Sequence, residues 1–280
     1  MAPTQFASVG LSLASAASWG VGDFSGGIAA KRTSVFGLVV AAHSTGFLLV
    51  LALALLKHEA IPDRHSLLWA IAGGLLGSIG LAAFYRALAV GKMGINAPVA
   101  AVITAALPVA IGILLQGRPG KLQLLGFVIA IIGIVFVSKP ESLHERPVGI
   151  GLAVIAGLGF GGFLTCMKLA SASAVLWPLC TARLASALLM CVFCLFTRES
   201  CLPPARLLPL AALTGILDTL GNGFFMMATQ VGRLDVAAVL SSLYPVVTVI
   251  LARSILKERM NRIQTAGMWV VLVAIPFIAA

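Results

Sequence analysis

The chain has 280 residues, of which 60% are hydrophobic and only 10% are charged, with a mean hydropathy of +1.08. A soluble core of this size needs a largely charged exterior, and 28 acidic and basic residues cannot cover one. The net charge of +10 lies mostly in short breaks between apolar runs, as the flanks of membrane helices do, so no nucleic-acid partner is expected.

Ten apolar runs follow one another at roughly 6–29, 35–56, 67–89, 94–115, 122–138, 148–170, 174–197, 207–229, 235–255 and 263–279, each long enough for a membrane helix. The breaks carry turn or polar residues: Lys31 to Ser34, Lys57 to Ser66, Gln116 to Lys121, Arg198 to Arg206. The first run has no Lys or Arg before Lys31, so it lacks a signal peptide's basic region and is expected to stay as a helix. The cysteines Cys166, Cys180, Cys191, Cys194 and Cys201 are scattered through apolar sequence. Cys191 and Cys194 have no second pair, so no metal or redox site is expected.

The second half repeats the first. Slid by 141 positions, Gly91 meets Gly232, Lys92 meets Arg233, Arg118 meets Arg259, Gln123 meets Gln264 and Gly126 meets Gly267. Upstream the offset drifts: Leu67-Leu68 meets Leu207-Leu208, Phe84 meets Phe224, and Gly20, Gly22 and Phe24 meet Gly159, Gly161 and Phe163. One unit has been used twice. The expected division is a first five-helix repeat at 1–138, a linker at 139–147 and a second repeat at 148–280. Five spans per repeat is an odd number, so the second copy enters the bilayer from the opposite side. The predicted fold class is an all-α integral membrane protein of ten transmembrane helices, built from two inverted five-helix repeats. That construction places a substrate site between the repeats, near the midplane.

Charged side chains at that depth each cost about 2.5–3.5 kcal/mol on insertion scales and so mark function or pairing. Asp218 centres the eighth run, Arg183 lies close to the centre of the seventh, and His43 has a similar depth in the second, within one repeat position of Arg183. Asp23 lies toward the far end of the first. Thr214, Asp218 and Asn222 form one stripe at helical spacing, as do Ser15, Trp19 and Asp23; Ser241, Pro245 and Thr248 form a third, beside Tyr244. Such stripes should face the inside of the bundle. The candidate substrate-binding residues are therefore Trp19, Asp23, His43, Arg183, Asp218, Asn222 and Tyr244. A desolvated Asp218 suits a proton carrier unless Arg183 offsets its charge, and His43 is a second proton candidate. A purely structural ion pair between Arg183 and one aspartate, a hydrogen-bonded core histidine and a packed Trp19 remain alternatives. Gly73 and Gly77, Gly22 and Gly26, and Gly157 and Gly161 are small-residue pairs that let helices approach closely. Pro98, Pro108, Pro178, Pro245 and Pro276 permit bends.

Gly20-Val21-Gly22-Asp23 also matches the G-x-G-D string of intramembrane aspartyl proteases, with Asp218 as a second acid, but no other signature of that family accompanies it. No G-x-x-x-x-G-K-[ST] loop is present, so ATP drive by this chain is not expected.

The chain resembles the EamA-type transporters of the drug/metabolite transporter superfamily. The resemblance rests on the 5+5 plan, on Trp19 to Phe24, on Phe84-Tyr85-Arg86-Ala87-Leu88, and on Leu256-Lys257-Glu258-Arg259 leading into Gln264 and Gly267. Where the family often has Glu-Arg, the first repeat reads Gly117-Arg118. Glu258 and Arg259 are expected to order a turn. The resemblance implies a secondary transporter, not an enzyme, that exports a small metabolite such as an amino acid across a bacterial-type inner membrane. It implies cytoplasmic termini. The charge rule points the other way, with six Lys and Arg in the breaks this would place inside and twelve outside. The expected partners are a small-molecule substrate, protons and the lipid bilayer, with no cofactor, in a monomer or homodimer. The alternative class is a non-transporting scaffold or the protease.

Overall fold

The computed structural model describes residues 3–91, 93–137, 148–256 and 262–279. Among these, the regular structure consists of helices α1 (Pro3–Ala30), α2 (Val35–Leu56), α3 (Arg64–Val90), α4 (Met93–Gln116), α5 (Lys121–Val137), α6 (Ile150–Ala170), α7 (Leu176–Thr197), α8 (Leu208–Val231), α9 (Leu234–Ser241), α10 (Tyr244–Leu256) and α11 (Arg262–Ala279), with a 3-10 turn at Ala205–Leu207. Among the described residues, seven stretches are long and apolar enough to cross a membrane: α2, α3, most of α4, α6, α7, α8 with the turn before it, and α9 with α10. Helices α5 and α11 contain shorter apolar runs. The segment 139–147, together with Lys92 and Lys257 to Arg259, lies outside the described residues.

Local sequence sets the helix ends. Ser34 caps α2 by accepting from the Gly37 amide, and Asp63 caps α3 by accepting from the His65 amide and the Ser66 hydroxyl. The Ser66 hydroxyl and the His65 amide hold the Asp63 carboxyl below the usual carboxylate range. The ninth apolar run, read as one helix, is broken in two at Ser242 and Leu243. Pro245 has no N–H to return to the carbonyl of Ser241, and proline is readily accommodated in a helix's first turn. The repeat places Thr104 where Pro245 stands, and α4 runs unbroken through it.

The two repeats are inverted. Helices α2 and α7 occupy equivalent places and lie antiparallel: Phe36 stacks on Phe193, His43 meets Ser186, and Glu59 reaches the start of α7. Helices α5 and α11 do the same, with Gly126 near the start of one against Ile278 near the end of the other. Cross-repeat contacts therefore come in matched pairs. A Cβ at Gly74 would meet the Ala182 carbonyl, and a Cβ at Gly215 would meet the Ala42 carbonyl. Phe84 packs on Phe160 at 5.5 Å between ring centroids, and Phe225 packs on Trp19 at 6.1 Å. Gly91 and Gly232 end α3 and α8 in the same extended conformation, with φ −124° and −144°.

These pairs correct the register read from sequence. A Cβ at Gly221 would meet Trp19 as a Cβ at Gly80 would meet Phe160, so Trp19 is equivalent to Phe160, and Gly20 to Gly161 and not to Gly159. Phe84 is likewise equivalent to Phe225 and not Phe224. Glycines stand two apart in both stretches, at 20 and 22 and at 157, 159 and 161, so a register slipped by two still sets Gly20 on a glycine.

A further matched pair ties the two ends of α2 and α7. Glu59 accepts from the backbone N–H groups of Val175, Leu176 and Trp177, at 2.9–3.1 Å, while Trp177 Nε1 donates to its carbonyl. At the opposite end Ser34 donates to Glu199. Position 174, equivalent to Ser34, is an alanine that cannot cap α7, so Glu59 caps it directly.

Candidate functional site

The small residues of α3 and α8 that bring neighbouring helices close also leave space between the repeats. A cavity of about 570 Å³, counting the part open to the outside, is lined by α1, α2, α3 and α4 of the first repeat and α6, α7, α8 and α10 of the second. Its wall includes every candidate named from the sequence: Trp19, Asp23, His43, Arg183, Asp218, Asn222 and Tyr244. Thr214, at the end of the α8 stripe, is buried against α1, where its hydroxyl bonds Ser25 Oγ at 2.8 Å. The stripe on α9 and α10 faces α1, with Ser241 donating to Ser12 O and Thr248 to Gly20 O.

Arg183 is 3% exposed, and its Nη1 lies 2.7 Å from Asp218 Oδ2. The same Nη1 donates to His43 Nε2 at 2.8 Å, and His43 Nε2 is 3.4 Å from Asp218 Oδ2. His43 Nδ1 meets the Ser186 hydroxyl. Accepting from the arginine requires Nε2 to be bare, so the imidazole is neutral with its proton on Nδ1, directed at Ser186. Asn222 Nδ2 reaches Asp218 Oδ1 at 3.4 Å. On the other side of the guanidinium, Nε and Nη2 are buried and find no acceptor among the described residues.

Asp23 is 8% exposed and makes no hydrogen bond or ion pair among the described residues. Two residues of opposite sign that line one cavity thus carry polar groups without partners among the described residues, the buried Nε and Nη2 of Arg183 and the carboxylate of Asp23. Aromatic rings close the remaining wall: Trp19 stands edge-on to Tyr244 at 6.4 Å, and Tyr244 edge-on to Phe84 at 6.1 Å. Tyr244 is pinned by its hydroxyl to the Ala97 carbonyl at 3.3 Å.

Sequence reasoning missed Ser186, Thr104, Phe160 and Phe163, which also line the cavity. Ser186 lies one helical turn from Arg183 and could have been found by extending that stripe, whereas Phe160 and Phe163 look like ordinary core residues. It also missed the pair at one end of the bundle, where Arg233 holds Asp235 at 2.7 Å and donates to the Gln116 and Gly117 carbonyls that end α4. Asp235 raises the proton affinity of the Arg233 guanidinium further above its ordinary value.

The family model for the EamA-like transporter family matches residues 7–139 and again 147–280. The chain belongs to the EamA-like transporter family. It is a multi-pass membrane protein of two EamA repeats. No curated protein matches it. A solved crystal structure, titled only as that of a protein, superposes on 96% of this chain and 95% of its own with a TM-score of 0.74 at 15% identity. That likeness speaks for the fold alone. The family is one of transporters rather than enzymes, which agrees with the reading that this chain catalyses no reaction.

Proposed function

We propose that this EamA-like chain is a secondary carrier that crosses a bacterial-type inner membrane ten times, with α9 and α10 sharing one span, and exports a small polar metabolite by alternating access. The solute is an amino acid or a compound of similar charge pattern, and the seven cavity residues named above bind it. The observation that carries this reading is that two cavity-lining residues of opposite sign, Arg183 and Asp23, keep polar groups without partners among the described residues. A guanidinium edge matches a carboxylate in two parallel hydrogen bonds, and a buried carboxylate matches an ammonium. Trp19 and Tyr244 offer ring faces and edges to the rest of the solute. The cavity lies between inverted repeats, where rocking of one half on the other exposes it to alternate sides. The termini are cytoplasmic in this reading, and the carrier works as a monomer or homodimer.

A protease would need Asp23 and Asp218 to share one proton. Asp218 is instead held by Arg183, which favours the carrier.

Reconstitution into liposomes tests the reading. Uptake and counterflow are measured against a panel of amino acids and their amides, with and without a pH gradient. Flux of the zwitterions is expected, and its loss in Arg183→Gln and in Asp218→Asn. Folded wild-type protein that moves no member of the panel would refute it.

A further inference from the structure

Arg183, Asp218 and His43 meet at a single point: Nη1, Oδ2 and Nε2 lie within 2.7–3.4 Å of one another. In the arrangement observed, His43 serves only as an acceptor for Arg183. A proton on Nε2 reverses that role. The imidazolium and the guanidinium then present two donors, both cationic, across 2.8 Å, and they must part. The imidazolium has one acceptor at hand, Asp218 Oδ2. Arg183 gives up Oδ2 and Nε2 together, and its Nε and Nη2 are already without acceptors among the described residues. The released guanidinium belongs to a residue that lines the cavity and has donors without acceptors, and the matching group is a carboxylate or similar planar oxyanion.

We propose, on the reading of this cavity as the solute site, that a proton on His43 and a carboxylate on Arg183 bind together, with Asp218 passing from the arginine to the histidine. The proton comes from water and is held on Nε2; no covalent bond forms or breaks elsewhere. One positive and one negative charge enter as a pair, so the net charge of the buried cluster is unchanged, which matters where an uncompensated charge is costly. Arg183 and Ser186 on α7, Asp218 and Asn222 on α8, Asp23 on α1 and Ser78 on α3 face or share the cavity with His43. Asp23 and Asp218 are the other carboxylates there that can take a proton, so the readout must belong to His43 itself.

Binding equilibria are reciprocal: whatever factor protonation adds to carboxylate affinity, carboxylate adds to proton affinity. The full chain is labelled with [15N]histidine in lipid nanodiscs and titrated with acetate, with acetamide as the neutral probe of the same shape. The His43 ring signals are those absent from His43→Gln. At constant pH, acetate is expected to raise the imidazolium-to-imidazole ratio of His43 about fivefold or more, and acetamide to leave it unchanged. Arg183→Lys keeps the charge but lacks the paired N–H edge, and should lose the acetate response while retaining the His43 signals. An unchanged ratio in wild-type protein, an equal response to acetamide, or a response that survives in Arg183→Lys overturns the proposal. No flux enters this measurement. Exchange without transport removes only the carrier reading, and transport without exchange removes only this one.

Discussion

His43 and Arg183 stand at equivalent positions of the two repeats, and both reach Oδ2 of Asp218, at 3.4 and 2.7 Å. The place equivalent to Asp218 in the first repeat is Gly77, whose neighbour across the interface is Phe163. The backbone is symmetric about this point and the charges are not.

Because Asp218 is the one carboxylate partner of Arg183 among the described residues, Asp218→Asn leaves a buried cation without its counter-charge. We expect a loss of about 3–5 kcal/mol in unfolding free energy, measured in detergent, together with loss of flux. The double variant Arg183→Met, Asp218→Leu removes both charges and should recover most of that stability without recovering flux. Recovery of both would reduce the pair to a structural tie.

The matched close approaches at Gly74 and Gly215 predict matched costs. Gly74→Ala and Gly215→Ala each drive a methyl into a facing carbonyl and should destabilise by about 1–3 kcal/mol. Gly10→Ala is the contrast: nothing lies within 4 Å of its added Cβ, and replacing a helical glycine should gain about 0.5–1 kcal/mol. Thermal unfolding of the three variants side by side checks the ordering.

The two glutamate ties differ in strength. Glu59→Ala strips three backbone N–H groups of their acceptor and should cost about 2 kcal/mol, with faster hydrogen exchange at Val175, Leu176 and Trp177. Glu199→Ala loses one side-chain partner, Ser34, whose own cap on α2 remains, and should cost less than about 1 kcal/mol. Equal losses would show that the two ends are held by something other than these carboxylates.

Trp19 and Phe160 are repeat equivalents, each against a phenylalanine. The scaffold therefore already accepts a phenyl ring at this place, and Trp19→Phe should cost about 1 kcal/mol. Trp19→Ala, which empties the site, should cost about 3–5 kcal/mol. If Trp19 also touches solute, flux should fall in Trp19→Phe well before stability does, which parallel flux and melting measurements would reveal.

The duplication, the apolar runs and the inward placement of the polar stripes were legible in the sequence because they are patterns of period and offset. Asp218 and Arg183 stood out because charge is rare in these runs. What escaped depended on three-dimensional register. Glycines spaced by two allowed α1 and α6 to be matched two residues out of step, and the contacts of Trp19 and Phe160 fix the true alignment. The division of the ninth run required weighing Pro245 against the two residues before it. The triangle of His43, Arg183 and Asp218 joins three helices, and its Ser186 support is an ordinary serine until the fold brings the histidine to it.

The break between α9 and α10 has a mechanical consequence. Its counterpart, α4, is one continuous helix through Thr104, with Pro98 and Pro108 each removing a backbone donor from it, whereas the pair α9 and α10 is interrupted at Ser242 and Leu243 next to the wall that Tyr244 forms. In the carrier proposed above, two arms that differ in this way leave no symmetry to make the opposite openings equal in energy, so a resting preference for one side is expected.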